Sequence, residues 1–152
     1  MRALIFSDSH GSISSMTNVI DREKNIDYII HAGDVYKDVC ELIKFYPDKN
    51  FIYVTGNNDY FVRTQPSERL FELGGVKIFL THGHNFSVKY GLYNIFAATR
   101  EKGATLCIFG HTHSRVNEEQ DGIRLFNPGS SPHSSGLLEI QDGKITKLDF
   151  LY

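Results

Sequence analysis

Short apolar runs alternate with amphipathic stretches along this chain, and each apolar run stops abruptly at small or polar residues. Ala3-Leu4-Ile5-Phe6 is continuously apolar, as in a strand buried on both faces, and it runs into Ser7-Asp8-Ser9-His10-Gly11. Over residues 14–24, Met16, Val19 and Ile20 recur at helical spacing, with Ser12 or Ser14 available as a cap. Tyr28-Ile29-Ile30-His31-Ala32 predicts a second buried strand, ending in Gly33-Asp34. A helix over about 36–46 would bury Val39, Leu42, Ile43 and Tyr46 before Pro47 stops it. Phe51-Ile52-Tyr53-Val54 predicts a third strand, which ends in Thr55-Gly56-Asn57-Asn58-Asp59. This rhythm argues for a parallel sheet with right-handed crossovers.

Past Pro66 the pattern changes. Arg69–Leu73 and Val76–Leu80 flank Gly74-Gly75 and predict a hairpin, whose second strand ends in Thr81-His82-Gly83-His84. Residues 90–101 predict a helix closed by Gly103, and Thr105–Phe109 a strand running into Gly110-His111-Thr112-His113. The remainder alternates apolar and polar residues around Asp121-Gly122 and Asp142-Gly143, which predicts hairpin turns and an antiparallel C-terminal third.

A chain of 152 residues predicts one domain, 1–152, and 41% hydrophobic with 22% charged residues is ordinary for a globular protein. The net charge of -2 offers no basic field, so an extended nucleic-acid surface is disfavoured while a small phosphate-bearing ligand is not. Cys40 and Cys107, both in apolar surroundings, read as buried thiols in a reducing compartment. The first apolar run reaches Ser7 and Asp8 too soon for a signal peptide, and no apolar stretch is long enough to span a bilayer, so a cytoplasmic location is expected.

The chemistry collects at the strand ends: Asp8, His10, Asp34, Asn57, His82, His111 and His113. In a parallel sheet these ends share one edge, where binding crevices form. In an extended backbone, His111 and His113 would face the same way and converge on one point. Singly, each candidate has a plainer reading: Asp8 and Asp34 as turn or cap residues, the Gly56–Asp59 string as a tight turn, His82 as a hydrogen-bonded structural histidine. Jointly they form a nitrogen and oxygen donor set without thiolate, suited to Mn²⁺, Fe, Co²⁺, Ni²⁺ or Zn²⁺. Seven ligands are more than one ion needs and suffice for two ions bridged by a carboxylate.

Asp8-x-His10-Gly11, Gly33-Asp34, Gly56-Asn57-x-Asp59, His82-Gly83 and Gly110-His111-Thr112-His113 resemble, in order and over nearly the whole chain, the calcineurin-like metallophosphoesterase superfamily. The early Asp-Ser-His-Gly, the short length and the late Asn127-Pro128-Gly129-Ser130 resemble its small single-domain phosphodiesterases of the YfcE and MJ0936 type. The resemblance implies an α/β fold of two stacked mixed β-sheets flanked by helices, a four-layer α-β-β-α sandwich. It implies that Asp8, His10 and His113 hold one metal, that Asn57, His82 and His111 hold a second, and that Asp34 bridges them. It implies a phosphodiesterase acting on a small phosphodiester, in which a metal-bridging hydroxide attacks phosphorus in line, with Mn²⁺ as the expected ion.

Residue 58 departs from the pattern. Many members carry a histidine there, oriented by the following acid and able to protonate the leaving oxygen. Asn58 can donate a hydrogen bond but not a proton, so it reads as a phosphate-positioning donor beside Asn57 and Asp59. The alternatives are a phosphomonoesterase or nuclease of the same fold, or a binding scaffold like the retromer subunit. His84 is placed to line the pocket or orient a ligand, His31 to make a structural bond, and His133 to sit at the surface. Phe61, Phe86 and Tyr90 leave open an apolar wall or a contact between copies in a homo-oligomer.

Overall fold

The computed structural model describes residues 1–152 as two five-stranded sheets and three helices. In chain order the elements are β1 (Arg2–Phe6), α1 (Ile13–Arg22), β2 (Tyr28–His31), α2 (Tyr36–Phe45), β3 (Asn50–Tyr53), β4 (Glu68–Leu73) and β5 (Val76–Thr81). They continue with α3 (Tyr93–Glu101), β6 (Leu106–Ile108), β7 (Val116–Gln120), β8 (Ile123–Asn127), β9 (Ser135–Gln141) and β10 (Lys144–Leu151). The first sheet has the order β10-β9-β1-β2-β3 and the second β4-β5-β6-β8-β7. No helix is long and apolar enough to cross a membrane.

The apolar runs explain the layering. On β1, Ala3 and Ile5 enter the cluster between the two sheets, whereas Leu4 and Phe6 pack with Met16, Ile20 and Leu42 from α1 and α2. On β6, Leu106 and Ile108 face that same central cluster, and Cys107 packs with Ile95 of α3. A strand buried on both faces needs no alternation, which is why these segments read as continuous apolar runs. The result is the α-β-β-α sandwich. Each fully buried Phe or Leu side chain contributes about 1.5–3 kcal/mol, so Phe126, fully buried in the central layer, is a position where truncation to Ala would cost about 3–5 kcal/mol.

Strands β1, β2 and β3 pair in parallel as expected. Asp121-Gly122 and Asp142-Gly143 form two-residue turns with positive φ at both positions, the backbone that matches strand twist. Four details differ from the sequence reading. The C-terminal third is not purely antiparallel, because β8 inserts beside β6 in parallel and its two hairpins divide between the sheets. The helix expected from residue 90 starts at Tyr93, since Gly91 at φ 140 breaks it from a preceding short turn over Val88–Tyr90. Ser12 occupies the N-cap of α1 without a side-chain capping bond. Cys40 is half-buried and only Cys107 is buried, both as free thiols.

Candidate metal centre

The seven candidate ligands arise where strands of both sheets end, and the backbone there is unlike a strand. Asp8, His10, Asp34, His111 and His113 all have left-handed φ, at 52, 42, 48, 70 and 61°. Side chains other than glycine seldom adopt that region, and clusters of it occur where surrounding structure imposes a functional geometry. His111 and His113 therefore do not converge through extended alternation. β6 has ended at Ile108, and the two rings leave the bend toward different neighbours.

His113 joins Asp8 and His10. Its Nε2 lies 3.2 Å from Asp8 Oδ1, and His10 Nε2 lies 3.8 Å from the same oxygen, with the two rings 5.3 Å apart. Asp8, His10 and His113 thus form one group able to hold an ion. His111 turns the other way, its Nδ1 3.0 Å from Asn57 Oδ1, which also lies 2.9 Å from His82 Nε2. His82 Nδ1 faces the Ala32 carbonyl at 2.8 Å and must carry a proton there, so in the neutral ring Nε2 presents its lone pair to Asn57 Oδ1. Asp34 Oδ2 stands 3.5 Å from His82 Nε2 and 4.0 Å from His10 Nε2, within reach of both groups.

The donor set fits divalent cations. Asp8 is fully buried, and its Oδ1 has no hydrogen-bond partner although imidazole nitrogens of His10, His82 and His113 surround it. An unpartnered buried carboxylate oxygen is costly without a compensating positive charge. Its other oxygen is saturated, accepting Ser7 Oγ–H at 2.7 Å and His111 N–H at 3.0 Å, which aims Oδ1 at the histidines. Two glycines allow this crowding: a Cβ at Gly56 would overlap Asp34 Oδ1, and one at Gly110 would overlap Ser7 Oγ and Asp8 Oδ2.

The turn after β8 explains itself here. Asn127 is buried, donates to Gly110 O (2.9 Å) and Thr112 Oγ1 (3.1 Å), and accepts Gly129 N–H, so it pins the bend bearing both histidines. Ser130 Oγ donates to Asp8 O, and Ser131 exchanges hydrogen bonds with the Ser7 backbone. Ser7 and these two serines escaped sequence reasoning because hydroxyls bonding main chain leave no periodic signal. In the sequence the Asn127-Pro128-Gly129-Ser130 string carried a family resemblance; its part as the clamp on Asp8 emerges only in the fold.

The residues expected to act on substrate have other partners. Asn58 is exposed and donates to Asp34 twice, from its backbone N–H at 3.0 Å and its side-chain amide at 2.6 Å. Buried Asp59, expected to orient residue 58, instead accepts Gly56 N–H and Tyr36 N–H, both at 2.9 Å. It shapes the loop and caps α2, whose N-cap residue Val35 has no side-chain oxygen to do so.

His84 is half-buried with its ring 5.5 Å from that of His82; burial, then the neighbouring His82, holds its pKa below the usual histidine value. Burial does the same to His111, helped by His82 and Lys89. His31 is buried and structural, its Nδ1 accepting Gly33 N–H and its Nε2 donating to Ser9 Oγ. His133 is exposed. Phe86 packs edge-on against Phe79 in the α3 layer, whereas Phe61 and Tyr90 are 69% and 94% exposed.

Residues 1–141 match the family described as the calcineurin-like phosphoesterase superfamily domain. YsnB of Bacillus subtilis, named a probable metallophosphoesterase, is 36% identical over 132 residues, covering 86% of this chain and 75% of the relative. Phosphodiesterase MJ0936 of Methanocaldococcus jannaschii is 30% identical over 154 residues, covering 85% of this chain and 83% of the relative. A crystal structure from Streptococcus pneumoniae TIGR4, titled a predicted phosphoesterase, superposes with a TM-score of 0.81 at 30% identity, covering 99% of this chain and 88% of that one. Vps29 of Entamoeba histolytica complexed with Zn²⁺ superposes with a TM-score of 0.80 over 99% of this chain and 97% of its own, and at 21% identity it shares the fold alone.

Proposed function

This chain belongs to the calcineurin-like phosphoesterase superfamily, and from that premise we propose that it is a metal-dependent phosphoesterase that hydrolyses a small phosphodiester at a two-ion centre. The observation that carries the reading is Asp8 Oδ1, buried, unpartnered and faced by three imidazole nitrogens. Asp8, His10 and His113 would hold one ion and Asn57, His82 and His111 the other, with Asp34 reaching both. Mn²⁺ is the proposed ion, on a nitrogen and oxygen donor set that contains no thiolate. Bound there, the two ions would supply Lewis acidity, acidifying a water and offsetting charge on the phosphoryl oxygens.

The chain's own part is positioning and proton control. Asp8 is held by Ser7 and the His111 backbone, His82 by the Ala32 carbonyl, and the Gly110–His113 bend by Asn127. Such supporting hydrogen bonds fix the tautomer and direction of ligand atoms before any ion arrives. Asn58 would donate to a phosphoryl oxygen, exchanging one of its bonds to Asp34. It has no proton to give, so leaving groups that depart readily as anions suit this site best.

The diester assignment is supported by the relative named a phosphodiesterase. Residues 1–152 are read as one domain because β9 pairs with β1 and so ties the end of the chain to its beginning. Two free thiols support a reducing, cytoplasmic compartment. The scaffold reading draws on the Vps29 fold, but the complete donor set favours an enzyme. Initial rates on aryl diester, aryl monoester, cyclic nucleotide and dinucleotide with Mn²⁺ decide the substrate class. Dominant monoester turnover would refute the diesterase, and protein that takes up no stoichiometric Mn²⁺ and turns over nothing would favour the scaffold.

A further inference from the structure

The loop carrying Asp8 and His10 hangs from a carboxylate outside the donor set. Asp38, in the first turn of α2, is 5% exposed, and its Oδ2 accepts Ser9 Oγ–H at 2.7 Å and Gly11 N–H at 2.8 Å. Ser9 Oγ in turn accepts His31 Nε2–H at 2.9 Å, and of its two acceptors Asp38 Oδ2 at 2.7 Å is much nearer than the Asp34 carbonyl at 3.4 Å. Charge-assisted bonds of this kind are roughly twice as strong as neutral ones.

His10 is the ligand that this arrangement holds most directly. Its side chain is 36% exposed, its backbone φ is +42°, and the nearest carboxylate oxygens are 3.8 and 4.0 Å away. The two bonds to Asp38 bracket it, one from the residue before and one from the residue after. The other group has anchors that do not involve Asp38: His82 is held by Ala32 O, the Asn57 loop by Asp59 and Asp34, and the His111 bend by Asn127 as well as by Asp8.

We propose that Asp38 is a positioning residue for one of the two ion sites, holding the Asp8–Gly11 loop so that its loss weakens the Asp8, His10, His113 group and spares the Asn57, His82, His111 group. The proposal rests on the two-ion reading above. Calorimetric titration of Mn²⁺ into chelator-stripped full-length protein tests both separately. Wild type should show two binding steps; fewer than two removes the two-ion reading and this proposal with it.

With two steps present, Asp38→Asn should weaken one by about 10-fold or more, the usual size of an outer-support effect, and leave the other unchanged. Combined with His113→Ala it should add little further loss, whereas combined with His111→Ala its full effect should persist. Equal weakening of both steps, or additivity with His113→Ala, overturns the proposal. Ser9→Ala severs only the hydroxyl link and should weaken the same step several-fold; no change in that variant also overturns it, even if Asp38→Asn fails to fold.

Discussion

Acid should destabilise this protein through His31. The ring is buried, with Gly33 N–H pointing at Nδ1 and Nε2–H spent on Ser9, so a second proton would set two donors against each other. Burial is the largest cause of its lowered pKa, brought down from 6.5 to about 4 against the opposing pull of Asp8 and Asp34. A histidine depressed in the folded state is neutral there while the unfolded chain already binds a proton. Its stabilising contribution is whole above pH 6.5 and is lost as pH falls toward about 4. The full loss is about 3 kcal/mol, of which roughly 2 kcal/mol has gone by about pH 5. Urea unfolding of chelator-stripped protein between about pH 7.5 and 4.5, for wild type and His31→Gln, isolates this residue from the other six histidines. The variant should start less stable and lose less on acidification. Parallel pH profiles for the two proteins would refute the reasoning.

Elemental analysis after Mn²⁺ loading should find one ion lost in His113→Ala and both sites impaired in Asp34→Ala, because Asp34 Oδ2 reaches toward both groups; equal deficits would contradict the division. Asn58→His should raise turnover of alkoxide-leaving diesters by about 10-fold or more and of activated aryl diesters far less, as expected when a general acid is restored. The same gain on both would sink that explanation. Gly110→Ala should displace Ser7 Oγ and the Asp8 carboxylate, cutting Mn²⁺ affinity and costing about 1–3 kcal/mol of stability; unchanged affinity in a calorimetric titration would count against the crowding argument.

Which residues gather at the candidate site was legible because strand-end polar residues interrupt apolar runs, and the runs themselves were long enough to place. Asp8, His10, Asp34, Asn57, His82, His111 and His113 come together in one region as their positions at strand ends imply. Asp59 and Asn58 were legible as loop residues, not by partner. Asp59 caps α2 across the fold and Asn58 binds Asp34, pairings that depend on how the β3 loop meets α2.

The sequence by itself determined the strand and helix rhythm, the two-residue hairpin turns and the donor set. These follow from local rules: side-chain periodicity, the φ allowed to Gly and Asp, and ligand chemistry. The tertiary structure alone decided that β8 lies beside β6, that His111 and His113 point apart, and that Asp38, Asn127 and Ser130 support the loops. Those outcomes rest on left-handed backbone and on hydrogen bonds between residues far apart in the chain. A pattern of hydrophobic and polar positions does not encode either, because both are set by packing of the two sheets.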